Sequence, residues 1–436
     1  MALPKTPNES SEPIVIIGGS IAALMSGIVL TRLGYNVRVL EQNESSVREE
    51  KGAGITVGPD AQEFFSKYDQ VPGPYAVPCP GVNFLDANSK VKQFMKRPML
   101  MSTWSALYYR LRANFDGYKS SFCPDPPASA QNQGKAVLQM GAKVTNVADT
   151  DGQVTVTYID KAEGTEHSIK SDLVIAADGA SSAIRRILLP DAEPLYSGYL
   201  GWRGLVPESE MSEESREILS PEFTGFTYKG GYILCYIVPS SDGNLEVGHR
   251  RFNWVWYSKS PPQSSAQYAE IMTDSDGWKH RNSVPKGKMR EDVWNAQREY
   301  GTKILNSVFV ELINKTKEPF LSVIQDFAAP QASFFDGKLL MLGDALAVFR
   351  PHMALSLNQA AVDNLLLEKL IKGEITTKSW EKQVVQYGRR NRLINIAFGN
   401  FYLYGGLTFA KSVVAYLLSL LPFQSLILAA QRYFRR

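Results

Sequence analysis

A mixed α/β fold is predicted by three stretches in which a short apolar strand breaks at a turn of small or acidic residues. They are Ile14 to Ser20, Leu173 to Gly179 and Leu339 to Asp344. The chain between the last two is aromatic and alternates with period two, which predicts an inserted β-sheet lobe. Together these observations describe a Rossmann-like lobe in two parts, a sheet lobe between them, and an apolar C-terminal helical segment. The expected boundaries are 13–190 and 336–395 for the Rossmann-like lobe, 191–335 for the sheet lobe and 396–436 for the C-terminal helices. With 436 residues, 44% apolar and 21% charged, the chain can bury a sizeable core in two closely joined lobes.

Composition narrows the partners. The net charge of +3 is small for this length and no basic stripe with interleaved aromatics occurs, so no nucleic acid is expected. Cys79, Cys123 and Cys235 are too scattered for a disulfide framework or a metal site and are expected as buried thiols in a reducing compartment. The polar, proline-containing start leads directly into the first strand, so no secretory signal is expected and the cytoplasm is the expected location.

In order along the chain, Ile14-Val15-Ile16-Ile17 reads as a strand buried on both faces, Gly18-Gly19 as a tight turn, and Ser20-Ile21-Ala22-Ala23-Leu24 as the opening of an apolar helix. Such a turn aims backbone N–H groups and the positive end of a helix dipole at one point, which suits a pyrophosphate. A second strand, Asn36 to Leu40, ends in Glu41, about twenty residues beyond the turn, where a carboxylate can accept from ribose hydroxyls. The pattern reads as an adenine-dinucleotide site, with an ordinary βαβ unit as the alternative. In G-x-G-x-x-G register the glycine places fall on Gly18, Ser20 and Ala23, so only the first is kept. The run Gly52 to Pro59, after a polar loop holding Arg48 to Lys51, lets backbone lie against something flat, or is a plain strand entry. Val71 to Gly81 is expected as a loop, Trp104 to Phe115 as a helix and Pro124 to Gly134 as an exposed connection.

From Ala142 to Gly164 a hairpin or meander is expected. The strand that follows ends at Asp178-Gly179, a ligand-facing turn or a simple Asx turn. Tyr199 to Gly204, Gly230 to Pro239 and Leu245 to Tyr257 read as neighbouring strands with one face over a cavity. The third strand stops at Gly343-Asp344, crosses Arg350-Pro351-His352 and enters a helix expected near Met353, whose N-terminus is a second dipole suited to an anion or an electron-rich ring.

Those three stretches, in this order and spacing, resemble the FAD-dependent aromatic hydroxylases, the flavoprotein monooxygenases that include p-hydroxybenzoate and salicylate hydroxylases. Gly-Gly-Ser-Ile, Gly-Trp-Arg-Gly, Asn-Trp-Val-Trp-Tyr and Arg-Pro-His are most similar to the 2,6-dihydroxypyridine 3-hydroxylase branch. The resemblance implies that Gly18, Ser20 and Ala23 lie under the FAD pyrophosphate, Glu41 at the ribose and Val144 beside the adenine. It implies Asp178 and Gly179 at the flavin and the nicotinamide nucleotide, Asp344 at the ribityl chain or pyrophosphate, and Pro351 by the ring. Asn358 falls on the family's helix asparagine, and Gly19, Ala22, Gln42, Gly54, Gly343 and Ala354 complete the expected cofactor set. Three positions depart from the family: Trp104 stands for an arginine that contacts FAD, and Met353 and Ser356 for two glycines after Pro351.

The implied reaction has NAD(P)H reduce FAD and oxygen add at flavin C4a, for delivery to an aromatic or polyketide-like small molecule as a hydroxyl or an epoxide. His352 is the first candidate base, because an ordinary imidazole pKa of about 6.5 permits proton exchange near neutrality. An imidazole that only orders its loop is the other reading. Arg203 and Tyr236 are further catalytic candidates, with Trp254 and Trp256 as candidate pocket walls. A flavoprotein oxidase or cyclase, and a non-catalytic binding member of the fold, stand as alternatives. A homodimer is compatible with the fold so implied. From Ser412 to Ala430 the chain has no charge, is broken by Pro422 and Gln424, and is followed by Arg432, Arg435 and Arg436. Two short helices fit this pattern, either packed on the body or lying in a membrane interface with the arginines at headgroups.

Overall fold

The computed structural model describes residues 12–47 and 54–421. The expectations for Arg48 to Lys51, for Gly52 and Ala53, and for Pro422 onward lie outside the described residues.

Strand Ile14–Ile17 is buried throughout because it lies in the middle of a six-stranded sheet. In spatial order the strands are Ser333–Phe334, Leu339–Met341, Val174–Ala176, Ile14–Ile17, Val37–Leu40 and Ala136–Gln139. All pair in parallel except the first, which is antiparallel to its neighbour. The three strands expected to carry the site are thus side by side, and their C-terminal ends share one edge. The helix Ile21–Arg32 is apolar all round, with ten of its twelve residues buried. It is covered on one side by the helix Trp104–Asp116, whose Phe115 ring fills the space where a Cβ at Gly27 would stand. On another side lies the helix Ser356–Ile371.

The second sheet has ten strands and draws Gly54–Val57, Val77–Leu85 and Val91–Thr103 from the first half of the chain. At its centre Leu195–Pro207, Arg251–Lys259 and Gly231–Val238 are antiparallel neighbours. Their alternation sorts the side chains cleanly. Trp202, Trp254, Trp256, Ile233 and Cys235 join one core cluster, while Tyr199, Tyr232, Leu234, Tyr236, Val255 and Tyr257 join another on the opposite face. The sheet curves strongly, since the end strand returns to its middle: Gly54 N donates to Asn253 Oδ1 at 3.1 Å. A three-stranded meander spans Ala142 to Ser171. The three cysteines are free and buried.

Three element expectations are corrected. The loop from Val71 ends before Val77, where a strand begins. Pro78 and Pro80 are tolerated because that part of the strand is paired on one side only, with Met99 to Met101, and its other neighbour joins at Val82. Leu245 to His249 forms turns, and the strand starts at Arg251. The helix expected near Met353 starts at Ser356, because Pro351–Met353 forms one tight turn and Ala354 takes a left-handed conformation at φ 53°. The long helix Thr377–Leu403 and the helix Gly406–Leu420 complete the fold as an antiparallel pair.

Candidate active site

The C-terminal ends of the central parallel strands face the inner face of the large sheet, and between them lies a cavity of 270 Å³. Its floor on the Rossmann-like side is Ser20, Ala22, Ala177, Gly179 and Asp344, continued by Pro351, Ala354 and Ser356. The sheet supplies Arg203, Phe223, Leu234, Tyr236, Val255 and Tyr257. Gly54 and Trp104 close the side.

Small residues make the floor. Gly18 has φ +96°, and a Cβ there would stand 2.5 Å from Ala177 O; a Cβ on Gly343 would stand 2.7 Å from the Cβ of Ala22. Both turns therefore approach as closely as backbone permits. The helices Ile21–Arg32 and Ser356–Ile371 begin without a side-chain cap and without an acidic residue in the first turn, leaving donor N–H groups at each start. Asp344 stands between them. Burial pushes its carboxyl up to about 6, and among the described residues no donor hydrogen-bonds to it. Two uncapped helix starts suit a diphosphate, and an acceptor without a donor suits a hydroxylated chain, so these residues fit FAD.

Other expected cofactor residues are engaged within the protein. Asp178 caps the helix Ala183–Leu188, accepting from Ser182 Oγ at 2.5 Å, Ala183 N at 2.7 Å and Ile184 N at 3.1 Å. Asn358 Oδ1 accepts from Ala61 N at 3.2 Å and so holds the helix Pro59–Tyr68. Glu41 accepts from Gly19 N at 2.7 Å through Oε2 and from Asn43 N at 2.8 Å through Oε1, closing the first turn on its own strand. Gln42 is exposed, and Val144 is buried in the meander opposite Tyr158. Ala23 is fully buried in the helix behind the turn.

On the sheet side Arg203 pairs with no carboxylate, and its Nε has no hydrogen-bond partner among the described residues. Tyr236 stacks on Phe223 with ring centroids 5.4 Å apart. Burial raises the hydroxyls of Tyr236 and Tyr257, the latter to about 12, although Arg203 opposes both shifts. These phenols are neutral donors beside a fixed positive charge. Trp254 and Trp256 are not pocket walls: they lie in the core on the other face of the sheet, donating to Thr316 Oγ1 at 2.9 Å and to Tyr228 OH at 2.8 Å.

His352 is held by two tyrosines that sequence reasoning passed over. Tyr199 OH lies 2.5 Å from its Nε2, and Tyr232 OH is hydrogen-bonded to its Nδ1. Burial, with Arg350 as the lesser cause, lowers its pKa to about 3, so in this structure the imidazole is uncharged at neutral pH. A neutral imidazole has one donor and one acceptor nitrogen, so one tyrosine donates to it and the other accepts. Arg350 and Arg392 both bind Asp326, at 2.7 and 2.5 Å, fixing the loop that carries His352 to the long helix. Trp104, noted as a departure, stacks on Tyr108 at 4.6 Å and lines the cavity.

An FAD binding domain-like family model matches residues 196–326. The 2,6-dihydroxypyridine 3-monooxygenase of Paenarthrobacter nicotinovorans is 24% identical over 388 residues, covering 87% of this chain and 88% of the relative. The solved structure of 2,6-dihydroxypyridine-3-hydroxylase from Arthrobacter nicotinovorans superposes with a TM-score of 0.77 at 22% identity, covering 92% of this chain and 94% of that one. Klebsiella pneumoniae HpxO, complexed with FAD and uric acid, superposes with a TM-score of 0.66 at 17% identity, covering 97% and 96%. Along nearly its whole length the chain is similar to FAD-dependent aromatic hydroxylases, and it has their fold.

Proposed function

We propose that the chain is an FAD-dependent monooxygenase that uses NAD(P)H and O2 to hydroxylate or epoxidise an aromatic or polyketide-like small molecule. The observation that carries this reading is Arg203, without a carboxylate partner among the described residues and beside two neutral tyrosine hydroxyls, across one cavity from a floor that fits FAD. The Gly18 turn and the start of its helix would hold the diphosphate, Asp344 the hydroxylated chain, and the start of the Ser356 helix the ring edge. Bound and reduced by NAD(P)H, FAD supplies the activation of oxygen. Arg203 binds the oxygen of an ionised phenol or hydroxypyridine and stabilises that anion, the form whose ring donates electrons best. Tyr236 and Tyr257, held protonated, donate to the same oxygen or to a second ring substituent and so orient the ring. His352 keeps Tyr199 and Tyr232 in place from the cavity wall and moves no net charge near neutral pH. Leu234, Val255 and Phe223 exclude water from the reacting carbon.

The relatives are named monooxygenases and hydroxylases, which disfavours the oxidase, cyclase and non-catalytic alternatives. The test is the visible spectrum of the purified protein, followed anaerobically as NADH or NADPH is added with a panel of phenols and hydroxypyridines. Flavin bands bleached faster in the presence of one ligand, with an oxygenated product on admission of air, are expected. A protein that cannot be reconstituted with FAD, or whose flavin the nicotinamides never reduce, overturns the reading.

A further inference from the structure

The last described helix, Gly406–Leu420, is built inside out. Its buried residues are Ser412 and Ser419, whereas Leu407 is 71% exposed, Val414 55%, Leu417 54% and Leu418 45%. The serines face the long helix: Asn400 Nδ2 donates to Ser412 Oγ at 2.9 Å, and Arg390 Nε donates to Ser419 O at 3.4 Å. A helix facing water puts its leucines inward and its serines outward. Phe398 and Phe401 of the long helix extend the same apolar surface, and the Phe401 ring packs on Phe409 at 5.2 Å.

Charge says what covers this face. The last 55 residues, from Lys382 onward, contain eight lysines and arginines and no aspartate or glutamate, so the remainder of this +3 chain has a net charge of −5. Apart from Arg392, which Asp326 already pairs, these are like charges that a second copy of the same segment would repel. A surface of acidic headgroups would neutralise them. The apolar sequence continues through Leu426-Ile427-Leu428 and ends in Arg432, Arg435 and Arg436, the order in which an interfacial segment meets acyl chains and then phosphates. Among the described residues no helix is long and apolar enough to cross a membrane.

We infer that the long helix and the helix Gly406–Leu420 seat the protein on the surface of an anionic lipid bilayer, with the leucines of Gly406–Leu420 in the acyl boundary and the basic residues of the C-terminal sequence at the headgroups. The docking does not depend on the monooxygenase reading. If that reading holds, the placement favours a phenol or hydroxypyridine that carries an apolar substituent and is drawn from the bilayer. The turn that carries Phe398 and Phe401 also carries Gly399, where a Cβ would stand 2.5 Å from His352 Nε2, so the lipid face and the cavity wall are two sides of one helix.

The test is co-sedimentation of the full chain with vesicles of phosphatidylcholine alone or mixed with phosphatidylserine. Binding to the acidic vesicles at low ionic strength, weakened by salt, is expected. Replacing Arg432, Arg435 and Arg436 together by Gln should lower partitioning about a hundredfold at low salt. Replacing Leu407, Leu417 and Leu418 together by Gln should lower it on both vesicle types. An unchanged melting temperature shows that either variant is folded. A wild-type chain that stays in the supernatant with acidic vesicles at low salt overturns the inference. So does a dimer in solution that the leucine variant splits into monomers, because the face would then belong to a second copy.

Discussion

Arg203 is where substrate choice is decided at the scale of single residues. A guanidinium that faces a cavity without a carboxylate partner is costly to retain unless a ligand anion completes it. Arg203→Met should remove one charged hydrogen-bonding contact, worth about 1.5–3 kcal/mol, and lower kcat/KM for an anionic substrate about ten- to a hundredfold. Steady-state kinetics with a phenol and its methyl ether would check this, since the ether should lose little. His352→Asn should leave the pH dependence of kcat/KM between pH 6 and 8 unchanged, because an imidazole lowered to about 3 does not titrate there. Loss of an acid limb near pH 6.5 in that variant would restore His352 as the base. Asp363 offers a stability test. Its Oδ2 accepts from Gly343 N at 2.8 Å, and burial raises its pKa from the ordinary 3.8 to about 8. The folded chain therefore holds this proton more tightly than the unfolded one. The resulting stability is fully present below about pH 4 and is lost as pH rises towards 8, a change of about a few kcal/mol. Asp363→Asn should flatten the fall in melting temperature between pH 6 and 8.5.

Among the elements, the Gly18 turn is the most demanding. A side chain at Gly18 meets Ala177 O at 2.5 Å in a backbone conformation that L-residues avoid. Gly18→Val should lose bound FAD, read as absorbance near 450 nm per protein, with a melting temperature several degrees lower. Such elements were legible in the sequence because their constraint is local: four apolar residues, then glycine, leave few alternatives to strand and turn. The sheet faces were not legible. Arg203 and Trp202 are adjacent, and only the pairing of Leu195–Pro207 with Arg251–Lys259 shows which of them faces the cavity. The helix start was misplaced for a related reason. Pro351 can begin either an α-helix or a single tight turn, and Met353 N donates at 3.0 Å to Asn395, a partner more than forty residues away. Asp178 illustrates another limit: the acidic turn was legible, but not that its carboxylate also accepts from Ala183 N and Ile184 N at the start of the next helix.

For the molecule as a whole, the two sheets meet at the cavity, and the three motif strands lie side by side as their order implied. That much follows from right-handed parallel crossovers and from the grouping of strand ends at one edge. What did not follow is the role of the long helix Thr377–Leu403, because a helix with mixed surfaces carries no motif. Asp326 lies on a sheet strand, Arg350 on the loop after the second acidic turn and Arg392 on the long helix, and the carboxylate joins all three. This shared anchor bears on the order in which the protein is made. While the ribosome has not yet released residue 392, both sheets can form, but the His352 loop is tied by one arginine instead of two and has no Gly399 behind it. A chain ending at residue 376 would also lack Trp380 and Val384, which are fully buried in the core of the Rossmann-like lobe, so it should melt at a lower temperature and hold FAD less firmly than the full chain.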